Sequence, residues 1–379
     1  MKLLFASDSF KGSLTSKKTA ELLGRAAEEV FGRCQYDYVP MADGGEGTVD
    51  AVIEAEQGSR VVTRVHGPRM SEVEAYYGAF GENKAIIEMA QASGLTLIGE
   101  ELRDPRHTTT YGTGELILHA LDQGYRDISI AIGGSATNDG GMGCARALGV
   151  CFLDEKGEEL EGFGRDLIQV RHIDISGLDP RLADTKITVM CDVTNPLTGE
   201  NGATYTFGKQ KGASPQAQEE LEAGMENYRQ VIWKEFGIDC NEVQGAGAAG
   251  GLGAALKVFF HGEMKSGVET VLDLIHFDER LEDVDLVVTG EGRTDWQSCF
   301  GKVMQGVGEH AKAKGVPVCG LSGGLGKGAM DILDHGVDSL MTSVNAPMSV
   351  GEAIEQAEEL YLQAAIRMFR LIRIGMKIQ

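Results

Sequence analysis

Leu286-Val287-Val288-Thr289-Gly290-Glu291-Gly292-Arg293-Thr294-Asp295 is a short apolar run that ends in a loop of glycines and charged residues. A segment apolar at every position, rather than at alternate ones, suits a strand covered on both faces. The opening of the chain has the same design, with Leu3-Leu4-Phe5-Ala6-Ser7 running into Asp8-Ser9-Phe10-Lys11-Gly12. Thr15 or Ser16 can cap a helix from there to about Phe31. Tyr36 to Met41 then reads as a second strand, and Asp43-Gly44-Gly45-Glu46-Gly47 as a loop into a helix ending near Ala55. This strand–helix rhythm of about 30 residues is that of a βαβ crossover.

The C-terminal part continues it. A helix from about Gly301 to Lys314 is followed by strands over Val316–Gly320 and Asp338–Thr342. Ser349 and Glu352 make a capping box for a last helix, on which Ile354, Ala357, Tyr361, Ala365, Met368 and Phe369 form one apolar stripe. Two N-terminal and three C-terminal strands predict a flavodoxin-like, doubly wound parallel sheet of order 2-1-3-4-5. Residues 1–58 and 282–379 would build it. In that order the loops after strands 1 and 3 open into a crevice where the winding reverses.

From 59 to 281 the pattern changes, which predicts a second, mixed α/β domain interrupting the first. Arg60–Val65 and Val73–Phe80 alternate like a hairpin around Gly67-Pro68. Ile86–Met89, Ile128–Ile132 and Ile187–Cys191 read as strands, and 113–122 and 214–236 as helices. The Gly/Ala segment Gly245–Leu256 reads either as a hinge or, preferably, as a tight turn into a close-packed helix.

Bulk properties narrow the partners. The 379 residues carry a formal net charge of −22, which repels nucleic acid and anionic lipid. There is no stretch of roughly 18 apolar residues for a membrane span and no signal-peptide core. Seven scattered cysteines without a C-x-x-C pair and eight histidines without H-x-x-x-H argue against disulfide and zinc scaffolds, so a cytoplasmic protein is expected. Whether it forms a homo-oligomer is left open.

The chemistry lies in the loops. Lys11 could bind a phosphate and Arg293 clamp a carboxylate, while Asp8, Glu291 and Asp295 supply base or metal-ligand candidates. Gly44 and Gly45, at a helix start, suit close approach of an anion. Gly133-Gly134-Ser135-Ala136-Thr137-Asn138-Asp139-Gly140-Gly141-Met142-Gly143 could cradle phosphate and hold Mg²⁺. It is neither a Walker A loop nor a G-x-G-x-x-G fingerprint. Asp192, in Cys191-Asp192-Val193-Thr194-Asn195-Pro196-Leu197, is a further base or metal candidate.

Taken together, these segments resemble the glycerate kinase family of bacterial glycerate and glucarate metabolism. The likeness rests on Asp8 to Gly12, Met41 to Thr48, Tyr111-Gly112-Thr113-Gly114-Glu115, Gly133 to Gly141, Cys191 to Leu197, Gly245 to Gly251 and Thr289 to Asp295. Lys209 and Met304 depart from it, standing where the family usually or often has proline. The resemblance implies ATP- and Mg²⁺-dependent phosphorylation of D-glycerate, at the 2- or 3-hydroxyl with the 2-position favoured, in a cleft between the two domains. It assigns substrate to Asp8, Ser9, Lys11, Arg293 and Asn195, and catalysis to Lys11, Arg293 and either Asp192 or Asp295. Nucleotide phosphates would fall to Gly44, Gly45, Gly133, Gly134, Ser135, Thr137, Asn138, Gly140 and Gly141, and the metal to Asp139 or Glu291. The rival readings are a dinucleotide-dependent oxidoreductase of a small hydroxy acid and a non-catalytic binder of a small anion.

Overall fold

The computed structural model describes residues 1–10 and 12–378; Lys11, assigned above to substrate and catalysis, lies outside the described residues. The chain forms two compact units, Met1–Asp43 with Gly267–Gln379, and Gly44–Ser266.

The first unit carries a five-stranded, all-parallel sheet. Its order is Gln35–Tyr38, Lys2–Phe5, Leu286–Thr289, Val318–Ser322 and Ser339–Thr342, which is 2-1-3-4-5. The three central strands are buried almost throughout, as continuous apolar runs require. Leu3, Phe5 and Val288 pack into one core with Leu22, Leu23 and Ala26 of helix Ser16–Phe31 and with Tyr361, Ala365 and Phe369 of helix Ala357–Gly375. Thr15 caps the first of these helices by accepting from the Lys18 amide.

Two elements differ from expectation. The second strand is shorter, Gln35–Tyr38 rather than 36–41, because it is the sheet edge and its Gln-Tyr-Asp-Tyr sequence has water on it. The last helix is broken at Gln356 into Val350–Glu355 and Ala357–Gly375. The capping box of Ser349 and Glu352 is present.

The second unit carries a six-stranded mixed sheet in the order Glu263–Lys265, Lys186–Met190, Asp127–Ala131, Lys84–Glu88, Glu72–Phe80, Ser59–His66. The hairpin end is antiparallel and the remainder parallel. Helix Thr48–Ala55 packs on the strands Glu72–Phe80 and Lys84–Glu88, so it belongs with this sheet. The short polar edge strand Glu263–Lys265 has no signature in the sequence. Ser214 caps helix Pro215–Phe236, with proline in the first turn.

The Gly/Ala segment is a tight turn. Ala249, Gly250 and Gly251 take left-handed φ of 53°, 69° and 93° before helix Ala248–Phe260 straightens. A Cβ on Gly250 would stand 2.0 Å from the Thr137 carbonyl oxygen, so only glycine admits this backbone-to-backbone approach. Among the described residues no helix is long and apolar enough to cross a membrane.

Candidate active site

In the first unit, pairing continues beyond the strand ends and draws their loops together. The Ala6 amide donates to the Val288 carbonyl at 2.9 Å, and the Asp8 amide to the Gly290 carbonyl at 2.9 Å. The Thr289 hydroxyl donates to the Ala6 carbonyl at 2.8 Å. On the other side, the amides of Gly323 and Gly324 donate to the carbonyls of Glu291 and Gly292 at 3.0 and 3.1 Å. Gly323 must be glycine here, since a Cβ would lie 2.4 Å from the Gly292 carbonyl.

The result is a crevice of about 550 Å³ at the carboxyl ends of the strands. Its polar lining includes Asp8, Ser9, Asp43, Glu291, Arg293 and Lys302. It thus gathers the loops of strands 1 and 3, from distant parts of the sequence, with those of strand 2 and, through Gly323 to Leu325 and Ser343-Val344, of strands 4 and 5. Arg293 projects from this lining with 71% of its side chain exposed, its Nε 3.8 Å from Asp295 Oδ2. Gly326 keeps the space beside it open, for a Cβ there would come within 3.0 Å of the guanidinium.

Glu291 is buried, and the Ser298 hydroxyl donates to it. Burial pushes its carboxyl above the usual range, opposed by the Ser298 hydrogen bond and the nearby Lys302 charge. Asp295 is not part of the crevice lining. Its Oδ1 accepts from the Gln297 amide at 3.0 Å and its own amide donates to Ser298 Oγ, so it serves as a helix cap. Lys302 escaped the sequence reading. The available signal was a lysine immediately before the helix that follows strand 3.

In the second unit the long glycine loop behaves differently along its length. Gly133 and Gly134 reach the surface, whereas Ser135 to Ala145 are buried. A Cβ on Gly133 would lie 3.5 Å from Gly45 Cα, so the exposed pair 133–134 neighbours buried Gly44 and half-buried Gly45. The remainder of the loop is packed inside. A Cβ on Gly141 would meet Ala255 Cβ at 2.4 Å, and one on Gly140 the Tyr228 ring at 2.6 Å. Ser135, Thr137, Asn138, Gly140 and Gly141 are enclosed in this structure, the two glycines packed against Tyr228 and Ala255.

Asp139 is enclosed in the same way. It is fully buried and accepts from the Thr110 amide at 2.7 Å, the Thr110 hydroxyl at 2.8 Å and the Gly141 and Gly143 amides at 3.2 Å. These bonds brace the loop against the Thr110 segment. Lys211 is 2% exposed and donates to the Thr137 carbonyl at 2.7 Å. Burial pushes its ammonium down to about 7, against the pull of the Asp139 charge. Asp192 is exposed and accepts from Ser266 Oγ at 3.0 Å, and Asn195 Nδ2 donates to the Asn201 carbonyl at 2.8 Å. Among the described residues no three His, Cys, Asp or Glu side chains converge as a metal cage.

A crevice at a topological switch point, lined by two cations and three carboxylates, suits the handling of a phosphorylated or carboxylated small molecule. The comparisons with known proteins agree in kind. A model of the glycerate kinase family matches residues 3–373. A glycerate 2-kinase of Escherichia coli strain K12 is 46% identical over 378 residues, covering 100% of this chain and 99% of its own. A glycerate kinase of Halalkalibacterium halodurans is 46% identical over 364 residues, 96% of each chain. A crystal structure from Salmonella typhimurium LT2, named for glycerate kinase 2, superposes with a TM-score of 0.90 at 42% identity, covering 100% of this chain and 99% of that one. Fold, loops and full-length likeness converge, and the chain belongs to the glycerate kinase family.

Proposed function

We propose that the chain transfers a phosphoryl group from ATP to D-glycerate with Mg²⁺, and that the 2-hydroxyl is the acceptor. The observation that carries this reading is the crevice where Arg293 and Lys302 stand among Asp8, Asp43 and Glu291 at the carboxyl ends of the parallel strands. Phosphoryl transfer needs charge neutralisation and positioning more than covalent participation by the protein. Arg293 offers a planar, bidentate donor set to the transferring phosphate or the glycerate carboxylate, and Lys302 a point charge. Ser9, beside Asp8 in the crevice lining, and Lys11, two residues further along the sequence, are assigned to anion contacts.

Mg²⁺ is commonly held by one or two carboxylates together with substrate phosphates. Asp8 and Glu291 are the oxygens that would hold it, and it would neutralise phosphate charge when bound. For the base that accepts the hydroxyl proton, exposed Asp192 is favoured over Asp295, whose carboxylate caps a helix. Exposed Gly133-Gly134, with Gly44-Gly45 beside them, remain the second unit's candidates for anion contact. The preference for the 2-hydroxyl is supported by the name of the E. coli relative.

The deciding experiment couples ADP release to NADH oxidation with D-glycerate and Mg·ATP, and identifies the product by phosphorus NMR. 2-Phosphoglycerate is expected. Formation of 3-phosphoglycerate overturns the regiochemistry, and absence of turnover overturns the activity.

A further inference from the structure

The last helix carries an apolar stripe that outruns the core it serves. Tyr361, Ala365, Met368 and Phe369 are buried against the sheet. Ile354, at the start of that stripe, is 44% exposed, and Val350, one turn before it, 77% exposed. Val350, Ala353 and Ile354 follow the i, i+3, i+4 spacing of one face of helix Val350–Glu355 and, with Ala357 at the start of the next helix, line the crevice. The same cavity is therefore half apolar wall and half charged floor. In a chain with a net charge of −22, such an uncovered apolar face beside Arg293 and Lys302 needs an occupant with matching halves.

Glycerate does not match. It is a three-carbon acid with two hydroxyls, offers nothing to an apolar wall, and is small for a crevice of about 550 Å³. Pockets of roughly 300–1,000 Å³ ordinarily enclose ligands of drug size. A purine nucleotide does match: its base has a flat apolar face, and its phosphates complement the two cations.

We propose that the first unit's crevice is the nucleotide site, with the purine against Val350, Ala353 and Ile354 and the phosphates toward Arg293 and Lys302. This rests on the reading of the chain as an ATP-dependent kinase and assigns the crevice's larger occupant.

The test uses the full chain with Val350→Asp, Ile354→Glu and Ala353→Phe. The first two positions are exposed and the first opens a helix, where an acid is favourable, so folding should be retained; circular dichroism checks it. ADP affinity is measured by calorimetry without glycerate, and KM for ATP and for glycerate by the coupled assay. The expected result is a rise of about tenfold or more in ADP Kd and ATP KM, with glycerate KM moving less than about twofold. A rise in glycerate KM with ADP binding unchanged assigns the crevice to the acid and overturns the proposal. So do variants that alter neither, and so does a wild-type chain that binds no ADP. A wild-type chain that binds ADP through this wall without phosphorylating glycerate overturns the kinase reading while leaving the nucleotide site in place.

Discussion

Arg293 holds its guanidinium in the open, beside a glycine that clears the space and 3.8 Å from a carboxylate already engaged as a cap. A charge so weakly committed to the fold can be removed without unfolding the chain. Arg293→Ala is expected to lower kcat/KM for glycerate about a hundredfold, the usual scale for deleting one charged donor to a phosphoryl-transfer centre, while thermal stability stays level. Steady-state kinetics beside a melting curve measure both, and unchanged kinetics remove Arg293 from the site. Lys211 is the opposite case. Its unfolded ammonium titrates near about 10.4, whereas burial brings the folded one to about 7. Between those values the unfolded chain binds more protons, so this residue makes native stability rise as pH rises through the window. The Tm of wild type relative to Lys211→Met should therefore shift in favour of wild type from about pH 7 to about pH 9. A difference independent of pH would show that the buried amine does not titrate there. The contrast also explains which site residues could be read from sequence. Arg293 stands in a charged loop after an apolar run, whereas the burial of Lys211 depends on the Thr137 carbonyl 74 residues away.

Elements of the first sheet were legible because burial on both faces leaves its central strands apolar nearly throughout, with hydroxyls only at their carboxyl ends. Leu3 to Phe5, Leu286 to Thr289 and Val318 to Ser322 declare themselves, and βαβ connection rules then supply the order. The edge strand at Gln35 and the three-residue strand at Glu263 lack that signal, since half-solvated backbone tolerates almost any side chain. Glycine loops are ambiguous in sequence for a related reason. Glycine is required equally where a ligand nears the backbone and where another backbone does, and the sequence of Thr137 to Gly141 does not distinguish them. The packing reading makes a specific claim about two glycines. Gly250→Ala places a Cβ 2.0 Å from the Thr137 carbonyl at a φ of 69°, and should cost about 3 kcal/mol or more. Gly157→Ala, at a φ of 79° but with nothing within 4 Å, should cost only about 1 kcal/mol of backbone strain. Urea denaturation of the two variants separates packing from conformation, and equal losses would refute the close approach.

At the scale of the whole molecule the charge of −22 opposes the substrates that the local cations are built to attract. The two effects differ in reach. Repulsion sums over the entire surface and acts through solvent, so it is sensitive to screening, while Arg293 and Lys302 act across contact distances inside a crevice. Raising ionic strength from about 0.01 M to about 0.15 M shortens the Debye length from about 30 Å to about 8 Å. That removes most of the long-range repulsion and leaves most of the local attraction. With saturating Mg·ATP, kcat/KM for glycerate should therefore rise with salt over this range, by about two- to threefold. Neutral viscosogens at constant salt would establish how far encounter limits kcat/KM, and an effect confined to kcat would assign the salt dependence to a later step. A fall in kcat/KM with salt would mean that the crevice cations steer the acid from a distance and dominate the global field. In that case Lys302→Met should abolish the slope, tying a whole-molecule property back to one lysine at the mouth of the sheet.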